Sequence, residues 1–130
     1  MSTRFFRPED RLPEDDDNAF SEEELYTVID LVRDSSFIDD ESGLSIEERL
    51  TDLFCGEEPD WVAFQSPDAV CYVNAYGTIR SDDGEVRLAL QFELSDSMEE
   101  FMLTAMLIND LEQDENFISD FESRFSLDNP

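Results

Sequence analysis

At 130 residues the chain has the length of one domain, and with 40% hydrophobic and 12% aromatic residues it is no disordered acidic tail. Its formal net charge of -27, from 35 acids against 8 bases, would repel nucleic acid and anionic lipid, which argues against direct binding to either. All 8 bases are Arg and the chain has neither Lys nor His, so imidazole bases, Ser-His or Cys-His nucleophile pairs, Schiff-base lysines and P-loops are excluded.

The first segment, residues 1–19, holds Arg4, Arg7 and Arg11, then Pro13 and the run Glu14-Asp15-Asp16-Asp17, and is expected to be a mobile arm. It lacks the apolar stretch of a secretory signal. Residues 20–127 are expected to form a single acidic domain. A first helix begins at Ser21, because Ser21-Glu22-Glu23-Glu24 is a capping box and Phe20 stands where a hydrophobic staple would reach Leu25. Leu25, Val28, Ile29 and Val32 follow the i, i+3, i+4, i+7 spacing of a buried stripe. An acidic loop containing Asp39, Asp40 and Glu41 comes next. Ser45-Ile46-Glu47-Glu48 is a second capping box, with Ile46, Leu50, Leu53 and Phe54 inward and Gly56 as the stop.

Trp61 to Phe64 reads as a short strand. Ala69 to Arg80 and Glu85 to Leu94 read as the arms of a hairpin around Ser81-Asp82-Asp83-Gly84. In the second arm Val86, Leu88, Leu90, Phe92 and Leu94 alternate with Glu85, Arg87, Ala89, Gln91 and Glu93. Phe101 to Ile108 is apolar but too short to cross a bilayer, and is expected to be a core helix capped by Asp96 or Ser97. Met98, Met102 and Met106, four apart, fit that helix. A last helix sets Phe117, Phe121 and Phe125 along one face. The sum is an α+β fold, order α-α-β-β-β-α-α, with a small antiparallel sheet (a hairpin plus a short third strand) packed against helices.

Metal and redox chemistry find no motif. Cys55 and Cys71 cannot complete a zinc tetrahedron, and both are expected to be free thiols in a cytoplasmic protein. Residues 37–50 have the cadence of an EF-hand, but with Gly43 at the sixth loop position the twelfth ligand would be Arg49, so no metal or other cofactor is expected.

The acids instead recur in every connection and on capped helices. A folded body holding carboxylates at this density would offer a basic DNA-binding groove what the phosphate backbone offers. The size and charge resemble those of DNA-mimic proteins such as anti-restriction and anti-CRISPR proteins and uracil-DNA glycosylase inhibitors. The contact is expected from Glu22, Glu23, Asp39, Asp40, Glu41, Glu47, Glu48, Asp52, Glu57, Glu58, Asp60, Asp82, Asp83, Glu99, Glu100, Asp110, Glu112, Asp114 and Glu115. The expected role is non-enzymatic, the partner is a basic DNA-binding protein or enzyme, and a homodimer stays open. Two other readings compete: an acidic exterior adapted to high salt, and an acidic secretion-type chaperone or adaptor with an exposed apolar groove. Tyr72, Asn74 and Tyr76 share one strand face, as core or as contact surface, and Trp61 reads as a core-edge residue or an interface anchor.

Overall fold

The computed structural model describes residues 5, 20–36, 44–66, 70–82, 84–95, 97 and 99–123. Two helices lead, α1 (Glu22–Asp34) and α2 (Ile46–Leu53). Five strands follow, β1 (Asp60–Gln65), β2 (Cys71–Ser81), β3 (Gly84–Leu94), β4 (Phe101–Ile108) and β5 (Leu111–Glu112), and α3 (Glu115–Ser123) closes the order. The strands form one antiparallel meander in the order β1-β2-β3-β4-β5, so each pairs with its sequence neighbours. The class is α+β, with a small sheet packed against helices.

Both leading helices begin as the sequence directs. Ser21 Oγ accepts from the Glu24 N–H while the Glu24 carboxylate accepts from the Ser21 N–H, and Ser45 and Glu48 repeat the exchange at α2. Each box satisfies two donors that a helix start leaves without partners. At the other end of α2 the Gly56 N–H donates to the Thr51 carbonyl and the Cys55 N–H to that of Asp52, the Schellman arrangement. Its left-handed residue is Cys55, at φ 61°, with Gly56 following at φ 93°.

Register divides the sheet into two faces. Cys71, Val73, Ala75 and Ile79 of β2 share a face with Val86, Leu88, Leu90, Phe92 and Leu94 of β3, because Val73 pairs with Phe92 and Ala75 with Leu90. This inner face takes Val28 and Val32 from α1, Ile46, Leu50 and Phe54 from α2, and Ile118 and Phe121 from α3, forming the main core. The Phe54 ring lies so close over Gly77 that a Cβ there would fall 2.2 Å from it. Gly77 is the gap in β2 that admits the ring.

Two elements differ from the sequence reading, β4 and the short β5, which has no counterpart in the expected order. Phe101 to Ile108 is β4, not a core helix, and it pairs with β3 from Leu94↔Phe101 to Leu88↔Ile108. Of the two expected cap residues, Ser97 instead belongs to the β3–β4 turn and Asp96 lies outside the described residues; in that turn the Ser95 N–H donates to the Glu100 carbonyl and Ser95 Oγ accepts from the Glu100 N–H. The misreading has a physical cause. Both sides of this strand meet apolar surroundings, so no polar alternation betrays the period of two, and an apolar run of eight is ambiguous between strand and helix. The ladder also slips between Gln91 and Phe92, inserting Thr104 as an extra residue that breaks strict alternation. The methionine spacing fails with the helix: Met106 is fully buried, Met102 is 65% exposed, and Met98 lies outside the described residues. The chain turns into β5 through Asn109 and Asp110, both at positive φ. In α3, Phe121 is buried and Phe117 half-buried, while Phe125 lies outside the described residues.

The outer face, away from the helices, is also covered. Phe64, Tyr72, Asn74, Ala89, Gln91, Ala105 and Leu107 alternate onto it and all are buried. The Phe64 and Tyr72 rings stack with centroids 5.7 Å apart. Phe5, 6% exposed, packs with Ala89, Ala105 and Leu107, and Tyr76 borders them. Of the expected mobile arm, all residues but Phe5 lie outside the described ones.

Candidate functional site

Every acid of the expected contact set whose side chain is described lies at the surface, Glu47 half-buried and the others exposed. Asp39, Asp40, Glu41 and Asp83 lie outside the described residues. The acids stand on three parts of the scaffold. Glu22 and Glu23 occupy the first turn of α1, and Glu47, Glu48 and Asp52 line α2, which packs beside α1. Because Val28 and Val32, and Ile46 and Leu50, turn those helices inward, Glu23, Glu48 and Asp52 project from the opposite side, with Glu22 and half-buried Glu47 on the flanks. Asp114 and Glu115 open α3, where Asp114 Oδ1 accepts from the Phe117 N–H at 2.9 Å.

A second group gathers where β2 turns into β3. Glu57 and Glu58 precede β1, Asp60 begins it, Asp82 lies in the hairpin turn, Asp110 lies in the turn into β5 and Glu112 ends β5. Two arginines hold this end together. Arg80 donates to Glu57 and to Glu85, each at 3.1 Å, and Arg87 donates to Asp110 at 2.8 Å. Glu57 first and Glu85 second raise the Arg80 pKa further above its ordinary value. The alternation in the second hairpin arm sets Arg87 on the polar side of its strand, but nothing in the local pattern marks Glu57, 23 residues from Arg80, as the partner of Arg80. Glu99 and Glu100 stand at the opposite end of the sheet, in the β3–β4 turn, near Glu93.

Chemically, the arrangement presents fixed anions. Among the described residues no group of three His, Cys, Asp or Glu side chains has the geometry to hold a metal ion. Cys71 is buried on the inner face, and desolvation pushes its thiol up to about 12, far from a nucleophile's range, whereas Cys55 is exposed. Trp61 packs against the edge of the main core, as a core-edge reading expects, with its indole N–H buried and, among the described residues, without a hydrogen-bond partner. Among the described residues no helix is long and apolar enough to cross a membrane.

Sequence reasoning did not find the outer face. Tyr72 and Asn74 are buried on the side of the sheet away from α1, α2 and α3, the helices of the described residues. The Gln91 side-chain amide donates to Asn74 Oδ1 at 2.9 Å, and Asn74 in turn donates to the Tyr76 hydroxyl at 2.8 Å. A polar chain of three side chains thus crosses from β3 to β2 inside an otherwise apolar layer. Polar residues alternating with apolar ones in both strands look like a solvated face, which hides this feature from a pattern reading. No protein-family model matches the chain, and neither a curated protein nor a solved structure matches it.

Proposed function

We propose that the protein is a non-enzymatic acidic inhibitor that presents carboxylates, in place of DNA phosphates, to the basic nucleic-acid-binding surface of a DNA-handling protein. The observation that carries this reading is the seating of Glu22, Glu23, Glu47, Glu48 and Asp52 at the surface of two capped helices that pack on each other and on the sheet. Glu48 and Asp52, one turn apart, are separated by about 6 Å along the helix axis, and a duplex presents one charge per ~1.7 Å of its own. Rigid presentation limits the entropy lost when a partner grips the acids, and a net charge of -27 steers a cationic partner from a distance.

The test is capture from a nuclease-treated lysate at low salt, followed by elution with a salt gradient and, separately, with duplex DNA. A basic DNA-binding protein should come off in both, and Glu47→Lys with Asp52→Lys should lower its retention at least about tenfold, since each charge contact contributes to a steep salt dependence. Glu48 is left in place because its carboxylate caps α2. Capture that resists DNA and ignores the double reversal would sink the proposal.

One observation favours a second reading, adaptation to high salt: acids also stand at both ends of the sheet, with Glu57, Glu58 and Asp82 at one and Glu99 and Glu100 at the other. A haloadapted chain unfolds as ionic strength falls, because self-repulsion is no longer screened. Circular dichroism in 10 mM against 1 M salt separates the two, since the inhibitor must be folded at the low salt where its binding is tightest.

A further inference from the structure

Pairing across the sheet sets four side chains of the outer face in one row. Asp60 on β1 pairs with Tyr76 on β2, Tyr76 with Ala89 on β3, and Ala89 with Leu107 on β4. Directly paired residues share a face, and each strand adds about 4.8 Å, so Tyr76 and Leu107 stand about 10 Å apart with only the Ala89 methyl between them. The next row, two residues closer to the β2–β3 turn, holds Thr78 and Arg87, which pair with each other. An open cavity of about 260 Å³ lies over Ala89, bordered by Asp60, Tyr76, Thr78, Arg87, Leu107 and Asp110. Phe5 packs on Ala89 together with Ala105, and the cavity extends the other way, to Thr78 and Arg87.

The charges around this cavity do not cancel. Arg87 donates to Asp110 at 2.8 Å, so that pair is neutral as a unit. The Asp60 carboxylate is exposed and makes no ion pair among the described residues, which leaves the cavity one negative charge. Its complement is a monocation. Tyr76, beside Asp60, offers that cation a ring, and Ala89 and Leu107 offer its stem an apolar wall. A guanidinium lies flat on an aromatic ring while its edge donates to a carboxylate, which a compact, strongly hydrated ammonium does not do. Size narrows the choice further. Sites that enclose a whole metabolite or cofactor measure about 300–1,000 Å³, and this smaller, open cavity matches a single side chain.

We propose that the cavity receives the arginine side chain of a partner protein, with its guanidinium between the Tyr76 ring and the Asp60 carboxylate and its stem along Ala89 and Leu107. The net charge of -27 draws such a partner in from a distance, and the cavity gives one of its cations a defined seat. The seat is on the face opposite the helices. It requires of the partner only an exposed arginine, so it does not depend on whether the helix-borne acids grip a DNA-binding protein.

The experiment titrates the full chain with the peptide Gly-Gly-Arg-Gly-Gly, capped at both ends, and follows the backbone amide resonances by NMR. At about 0.15 M salt, charges more than about 8 Å apart are largely screened, so the general attraction of an acidic surface is subdued. Saturable shifts should be confined to residues bordering the cavity, with a dissociation constant in the millimolar range. Asp60→Asn, at an exposed strand end, should keep the amide spectrum of the fold and weaken binding about tenfold. Asp82→Asn removes the same charge from the β2–β3 turn, outside the cavity, and should change binding less than about twofold. The same peptide with lysine for arginine should bind at least about fivefold more weakly. Shifts that spread over the acid-bearing helices without saturating overturn the proposal, because they describe cations attracted to the whole surface. Equal losses in Asp60→Asn and Asp82→Asn overturn it as well, and so does equal binding of the lysine peptide. If N-propylguanidine binds and the arginine peptide does not, the occupant is a free small molecule and the partner protein is ruled out.

Discussion

Both faces of the five-stranded sheet are buried, but they are buried by different means. The inner face is aliphatic and aromatic without interruption, from Val73 and Ala75 through Leu90 and Phe92 to Met106, and three helices cap it with side chains of the same kind. The outer face carries a buried amide pair, Asn74 and Gln91, two alanines, and the ring of Phe5. Apolar burial is non-directional and scales with area, so the inner face can supply stability with wide tolerance for which apolar residue fills each place. Buried amides behave otherwise. They add little net stability when paired, but they accept few geometries and few neighbours, and so they define what can be laid over them. The comparison assigns tolerant, area-driven packing to one face and geometric selectivity to the other.

The sharpest way to break that assignment is to remove matched bulk from the inner side. Phe92→Ala should cost about 3–5 kcal/mol in urea unfolding, the range for emptying a fully buried aromatic site. A loss below about 1.5 kcal/mol would show that the helix-packed face does not carry the fold. Next in size is Gly77→Ala. A new Cβ 2.2 Å from the Phe54 ring forces α2 to lift or the ring to leave its place, an overpacking cost of about 1–3 kcal/mol. Phe54→Leu in the same chain should recover part of that loss, because the two positions share one contact.

On the outer side, Asn74→Ala strips Gln91 of its acceptor and the Tyr76 hydroxyl of its donor. Losing these bonds inside a buried polar network costs about 0.5–1.5 kcal/mol each. The paired change Asn74→Leu with Gln91→Leu should cost less than the single one, and thermal unfolding of the two variants decides. If the double change is the more damaging, the amides are contributing stability of their own and the division between the faces fails.

How much of this could be read from the sequence depends on whether a local rule governs the residue. The capping boxes at Ser21 and Ser45 involve only neighbours three apart, and both form. The hairpin arms announce themselves because β3 begins with alternation steep enough to see, Glu85 and Arg87 against Val86 and Leu88. The same rule fails at β4, where Leu103 faces the helices and Ala105 and Leu107 face Phe5, since both environments select apolar residues. Long-range pairings are invisible for a different reason: that Arg80 meets Glu57, or Gly77 meets Phe54, depends on how α2 docks, which no local pattern encodes. The acids were legible as a set, but their division between the helices and the two ends of the sheet is a property of the fold.

The smallest effect concerns Cys71, the titratable group of the inner face. Burial lifts its thiol from the ordinary 9.0 to about 12, so between those values the unfolded chain releases a proton that the folded chain keeps. Stability is therefore unaffected by this group below pH 9 and declines as pH rises from about 9 through 12, because the unfolded state then binds fewer protons. Cys71→Ala should flatten that part of the curve while lowering the plateau slightly through lost packing, and it is the slope that carries the test. Cys55, which is exposed, should react with iodoacetamide in the native protein while Cys71 stays protected until the sheet opens. Equal labelling of both thiols under native conditions would mean that the inner face admits water, and with it that the helices do not seal the side on which the fold's stability is placed.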